Sequence, residues 1–212
     1  MYLLLAASAG SWGWLIRKWL RGESPLPHEP RPLESWSWEA LPRILGFDGD
    51  EFLSDVWLGL RAFVVAALPI YGLQLLLAYW FPYRHPVIDE FLKHRDWESL
   101  LEAATSAVLI APVAEEMAFR VGLQGILEWL ERLIRRRTGP TAGGIPPGVI
   151  PIAISSLTFA LAHLGHGAAP FPLFFLALLL GYLYFQTHRI VPSIVVHMCL
   201  NAVSLGLIWC ST

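Results

Sequence analysis

An all-α, polytopic transmembrane helix bundle with about six membrane segments is the fold class this sequence predicts, and three observations predict it. Apolar residues make up 55% of the chain and charged residues only 15%, with a mean hydropathy of +0.51; an ordinary soluble domain carries about a quarter charged residues. The charges collect between long apolar runs and are nearly absent inside them. Those runs are also too long and too closely spaced, in 212 residues, to be the core of a soluble domain. A formal net charge of −2 gives no reason to expect nucleic acid as a partner.

The first apolar segment, 2–19, has no basic residue before it and Arg17, Lys18 and Arg21 around its end, so it reads as an uncleaved anchor rather than a signal peptide. A soluble-looking stretch follows over 20–53. Pro25, Pro27, Pro30, Pro32 and Pro42 disfavour a continuous helix there, and Trp36 and Trp38 suit a membrane–water boundary. The second segment spans 54–81, and residues 62–81 alone suffice to cross the hydrocarbon core, with Pro69 expected as a kink and not a break. Asp55 and Arg61 sit near one end of it, where snorkelling to the interface would explain both.

The third segment, 99–131, exceeds a simple span and must tilt or protrude; the turn-forming run 138–148 (TGPTAGGIPPG) ends its connection to the fourth. The fourth and fifth segments, 148–165 and 171–187, are short, and the sixth runs over 190–210. Lysine and arginine favour the first, third and fifth connections, which places those on the cytoplasmic side and both termini opposite. Tryptophans 12, 14, 19, 57, 80 and 97 read as interfacial belts. Cys199 and Cys210 lie in one apolar run and read as small helix fillers, not a disulfide or a metal pair.

Polar residues that do not belong in hydrocarbon interrupt three of these segments. Glu115, Glu116 and Arg120 fall in APVAEEMAFRVGL, His163 follows SSLTFALA, and His197 and Asn201 lie at helical spacing in VPSIVVHMCLNAVS. A charge at mid-bilayer costs about 2.5–3.5 kcal/mol even on lenient scales, so such groups need partners, water or a function. Glu116 and Arg120 are i and i+4 and can pair on one face, while Glu115 is turned about 100° away. Phe119 stands one turn from Glu115 and Phe159 one turn from His163. A carboxylate and an imidazole could hold a water, and His197 and Asn201 could donate hydrogen bonds; each could equally tie helices together. No serine or cysteine has an evident base partner, so water is the natural nucleophile. HExxH is absent, and HxxxN offers one strong ligand, so zinc is the minority reading for a cofactor.

The ordered set EExxxR (115–120), FxxxH (159–163) and HxxxN (197–201) resembles the three motifs of the CPBP family. That family comprises CAAX prenyl endopeptidases of the Ras-processing type and the bacterial Abi, or bacteriocin-immunity, relatives. The resemblance covers about residues 99–205 and implies a catalytic membrane core over 99–212, with 1–98 holding the anchor, the proline-rich linker and the second segment. It implies an intramembrane endopeptidase in the cell membrane, with membrane lipid and a membrane-associated peptide or protein as its partners, CAAX-like prenylated substrates among the candidates. Glu115 and His163 would activate water without a cofactor, and His197 and Asn201 would form the oxyanion hole. Glu116 and Arg120 would shape the site or contact the substrate end, with Phe119 and Phe159 supporting it. A non-catalytic scaffold conferring toxin immunity, and a proton or ion transporter, are the competing expectations.

Overall fold

The computed structural model describes residues 45–46, 51–81, 91–94, 96–138 and 144–210, and all regular structure among them is helical. Helix α1 (Phe52–Ala78) runs through Pro69 without a break. A single helical rod then covers residues 97–138: α2 (Trp97–Ala103), a π-helical stretch (Ala104–Ile110), α3 (Ala111–Glu116), a second π stretch (Met117–Gln124) and α4 (Gly125–Thr138). Three helices follow, α5 (Val149–Leu161), α6 (Pro170–Thr187) and α7 (Val191–Cys210). The first apolar segment and most of the 20–53 linker lie outside the described residues.

Among the described residues three helices, α1, α6 and α7, are long and apolar enough to cross a membrane. α5 has 13 residues, or about 20 Å of helix, and is shorter than the roughly 30 Å hydrocarbon core. Leu75, Leu76 and Val64 on α1 are 75%, 64% and 68% exposed, with few polar neighbours to interrupt them. A continuous apolar face of that kind is solvated by lipid, not water. Trp57 and Trp80, both exposed, stand 23 residues apart near the two ends of α1, about 34 Å, which matches a pair of interfacial anchors. The chain is a membrane protein.

The core forms where α1, α6 and α7 meet: Ala66 and Ile70 pack with Leu176, Leu180, Val196 and Leu200. The close approach of α1 to α7 depends on Gly59, because a Cβ there would stand 2.7 Å from Val195 Cβ and 2.8 Å from the carbonyl of Pro192. A smaller cluster of Phe91, Ala103 and Leu205 closes one end, with Trp209 stacked between the rings of Phe91 and Trp97 at 5.7 and 5.3 Å. Tyr71 ties α1 to α7 through its hydroxyl, which donates to Leu200 O at 2.6 Å.

At the opposite end the chain staples itself with polar groups. Glu131 accepts from Arg135 at 2.7 Å and from the Gly148 N–H at 2.8 Å, which holds the start of α5 against α4. The turn between α6 and α7 carries Arg189, whose Nε donates to Asp55 and whose Nη1 meets Glu51 at 3.2 Å. The expectation for Asp55 is corrected here: it is 6% exposed and paired, not snorkelled, whereas Arg61 is exposed. Hydrocarbon-facing sequence around Asp55 hid a partner 134 residues away. These contacts tie the start of α5 to α4 and the α6–α7 turn to the start of α1.

Candidate active site

The rod 97–138 supplies the carboxylates. Two stretches of looser i→i+5 bonding flank α3, and Glu115 and Glu116 occupy its last two positions. Such π geometry inside a helix concentrates at functional sites, because it re-aims side chains that a regular helix would fix.

Glu116 is fully buried. Its Oε2 accepts from Arg120 Nε at 2.8 Å and its Oε1 meets His197 Nδ1 at 3.1 Å. Arg120, also fully buried, donates from Nη1 to Ser155 Oγ at 3.3 Å and lies 5.5 Å over the Phe159 ring. Ser155 Oγ in turn donates to Phe119 O at 2.9 Å, so one α5 hydroxyl links the guanidinium to the backbone of the carboxylate helix. The neighbouring Glu115 has a different environment. Its side chain is 30% exposed and its Oε2 stands 3.6 Å from His197 Nε2, beyond hydrogen-bond distance. Of two adjacent carboxylates, one is consumed by an arginine and the other remains available.

The two histidines are held in opposite ways. His163 is half-buried just beyond α5, and its Nδ1 lies 2.8 Å from Phe159 O. A carbonyl oxygen only accepts, so Nδ1 carries a proton, and a neutral ring held this way would present its lone pair at Nε2. His197 is buried on α7 between the two carboxylates. Phe159 binds the cluster together: it is fully buried, with ring centroids 4.8 Å from His163, 5.9 Å from His197 and 5.1 Å from Phe119. Glu115 and His163 share no hydrogen bond among the described residues. The His166 ring lies edge-on to that of His163, 6.1 Å away, in the turn after α5.

Asn201 sits one turn beyond His197, and its Nδ2 donates to Ala107 O at 2.8 Å, which leaves the second amide N–H uncommitted. Beside Asn201 opens a largely apolar cavity of about 340 Å³, walled by Ile70, Leu75, Ala107, Leu173, Leu176 and Leu205. Ser155 and this cavity are what sequence reasoning missed. Ser155 lies in an apolar run and could have been suspected only from its spacing, one turn before Phe159. Among the described residues no group of three or more His, Cys, Asp or Glu side chains is placed to hold a metal ion.

The comparisons with known proteins accord with the motifs. Neither the curated proteins nor the solved structures give a match to this chain. A family model does match, over residues 97–203, and that span begins at the start of the carboxylate rod and ends just after Asn201. The chain belongs to the type II CAAX prenyl endopeptidase Rce1-like family, a family of CAAX-type intramembrane proteases.

Proposed function

We propose that this protein is a multi-pass cell-membrane endopeptidase of glutamic type, in which Glu115 and His163 activate water against a peptide bond of a membrane-associated substrate. The observation that carries the reading is the asymmetry of the two carboxylates: Arg120 neutralises buried Glu116, while Glu115 is partly exposed and stands 3.6 Å from His197 with no arginine on it. A general base must be reachable by water and not already spent on an arginine, and of the two adjacent carboxylates Glu115 meets both conditions.

In this mechanism the attacking water is held between the Glu115 carboxylate and the Nε2 lone pair of His163. Glu115 takes its proton as the oxygen adds to the scissile carbonyl, the Glu115 carboxyl returns that proton to the leaving amine as the C–N bond breaks, and His163 Nε2 accepts the remaining proton of the added hydroxyl as the product carboxylate forms. The oxyanion receives the free N–H of Asn201 and the Nε2–H of His197. That role requires His197 to act as an imidazolium, with Nδ1–H on Glu116 and Nε2–H toward the reacting centre. Glu116 and Arg120 position His197. The cavity beside Asn201 would take an apolar residue or chain of the substrate, and a prenylated CAAX peptide is one candidate. The reaction as proposed draws on no cofactor, with zinc as the minority alternative.

The test is cleavage of a library of membrane-associated peptides, prenylated CAAX peptides included, by purified protein in detergent. Glu115→Gln and His163→Ala should each lower kcat by about 10²–10⁴-fold with the fold intact, and a zinc chelator should leave the wild type unchanged. Full cleavage by a folded Glu115→Gln protein would remove this reading. A wild type that cuts nothing in a broad library would turn attention to a scaffold or transport role.

A further inference from the structure

Glu116 and Arg120 are the first two rungs of a longer ladder. Gln124 and Glu128 continue it at the same four-residue spacing, and all four side chains are buried, at 0, 0, 0 and 2% exposure. Polar side chains so buried must each be tied, and the ladder is tied in turn to α7, to α5, and by its last two rungs to α6 and the residue that ends it. Glu116 holds His197 on α7 and Arg120 holds Ser155 on α5. Gln124 donates to Gly181 O on α6 at 2.8 Å and to Glu128 Oε1 at 2.9 Å, and Glu128 Oε2 meets His188 Nε2 at 3.0 Å just past the end of α6. The reaction proposed above uses only the first two rungs.

Two features mark the last two rungs as built for a purpose. A Cβ at Gly181 would stand 2.8 Å from Gln124 Oε1, so the small residue is what admits the amide to the α6 backbone. His188 has φ 48 and ψ 34 and is the one non-glycine residue with positive φ among the described residues. It occupies the helix-ending position where glycine is favoured, and its N–H caps Tyr184 O at 2.6 Å. A side chain kept there at a steric cost points to a use for that side chain, and its ring faces Glu128.

That use follows from the π-helical stretch Met117–Gln124, which separates these rungs from Glu115 and Glu116. Helix side chains stand about 5–6 Å from the axis, so a turn of about 10° moves a carboxylate by about 1 Å. A misplacement of that size costs on the order of 10²-fold in rate. We infer that Gln124, Glu128 and His188 form a lock that sets the rotation of the carboxylate helix and so places Glu115 and Glu116 against the histidines. They are positioning residues, and the inference rests on the proteolytic reading for its effect on rate but not for its effect on geometry.

His188→Gly tests the lock cleanly, because glycine suits the backbone at 188 and removes only the ring. The thermal midpoint should hold or rise while kcat falls about tenfold with KM unchanged. An unchanged kcat would overturn the inference. Glu128→Leu should match that loss, the double variant should be no worse than either single one, and Glu128→Gln, which keeps a hydrogen-bonding group at the site, should retain most activity; additive losses would also overturn it. A second readout needs no catalysis. With Cys199 and Cys210 replaced by alanine and Glu115→Cys introduced, His188→Gly should change the labelling rate by a water-soluble maleimide several-fold. An unchanged rate in folded protein sinks the lock even in a protein that cleaves nothing, whereas a wild type without cleavage and a changed rate sinks only the protease reading.

Discussion

Two buried arginines make the same kind of ion pair in this molecule and do different things. Arg189 at the α6–α7 turn gives its Nε to Asp55, its Nη1 to Glu51 and its Nη2 to Gly46 O at 3.3 Å, so every nitrogen of the guanidinium is engaged. Arg120 in the middle of the rod gives Nε to Glu116 and Nη1 to Ser155, while its Nη2 has no partner among the described residues. The first arrangement joins chain segments 134 residues apart; the second stays within one helical turn and touches a histidine through its carboxylate. A charge inside a membrane protein is therefore not by itself a site. What separates the site from the staple is unspent hydrogen-bonding capacity next to a second, reachable carboxylate.

Removing either arginine leaves an uncompensated buried charge, and the comparison breaks if the two losses look alike. Arg120→Ala should cost about 3–5 kcal/mol of stability and also lower the activity of the folded fraction by about 10²-fold, because His197 loses its oriented carboxylate. The double variant Glu116→Leu/Arg120→Leu should regain much of the stability and none of the activity. Urea unfolding in detergent and single-turnover cleavage separate the two readouts.

The staple should behave oppositely. Arg189→Ala should cost a similar 3–5 kcal/mol, yet cleavage per folded molecule should stay within about twofold of wild type, and Asp55→Leu/Arg189→Leu should recover most of the loss. Glu51 is 38% exposed, so Glu51→Ala should cost no more than about 1 kcal/mol. A large fall in specific activity on breaking the Asp55 pair would show that the two ends of the bundle are coupled and that the distinction drawn here is wrong.

A substitution in the cavity wall sharpens the site side of the comparison. Ala107 is half-buried and lines the apolar space beside Asn201. Ala107→Phe should fill it and raise KM for apolar-chain substrates by about 10–200-fold, the worth of one or two methylenes' contact in a pocket, with kcat on short polar peptides little changed. Equal effects on both substrate types would place the apolar chain elsewhere.

The same contrast explains what could be read without coordinates. Glu115, Glu116, Arg120, His163, His197 and Asn201 stood out because ionisable groups in apolar runs are costly, and their order matched a family pattern that the 97–203 match bears out. The apolar segments from 54 onward became helices with ends within four residues of those expected, except that the third runs on to Thr138, seven residues past 131, because its last turns are amphipathic and not apolar. The Asp55–Arg189 staple was illegible because sequence spacing says nothing about a contact 134 residues apart. The π stretches beside α3 were hidden for another reason: a shift from i→i+4 to i→i+5 bonding changes no residue type. Gln124 and Glu128 did carry a visible signal, the four-residue repeat from Glu116, but their partners Gly181 and His188 lie on another helix and its end.

The smallest effect lies at the start of the rod, where charge is used in water. Asp96 caps α2: its Oδ1 accepts the Ser99 N–H at 2.8 Å, and that backbone bond, with Ser99's side chain adding to it, holds the carboxyl below the ordinary aspartate range. A depressed folded-state value means the carboxylate's contribution is fully present above the unfolded-state value and is lost as pH falls through the folded-state one. The protection of the Ser99 and Leu100 amides, taken relative to their intrinsic exchange at each pH, should therefore fall on acidification in the wild type. Asp96→Ala should show the low protection at every pH, Asp96→Asn should restore part of it without a pH-dependent loss, and neither variant should alter cleavage, since the cap is separated from Glu115 by the first π stretch. A loss of activity on removing this cap would mean that fraying at α2 travels along the rod, and that the rotation of the carboxylates is set from both ends and not from the His188 end alone.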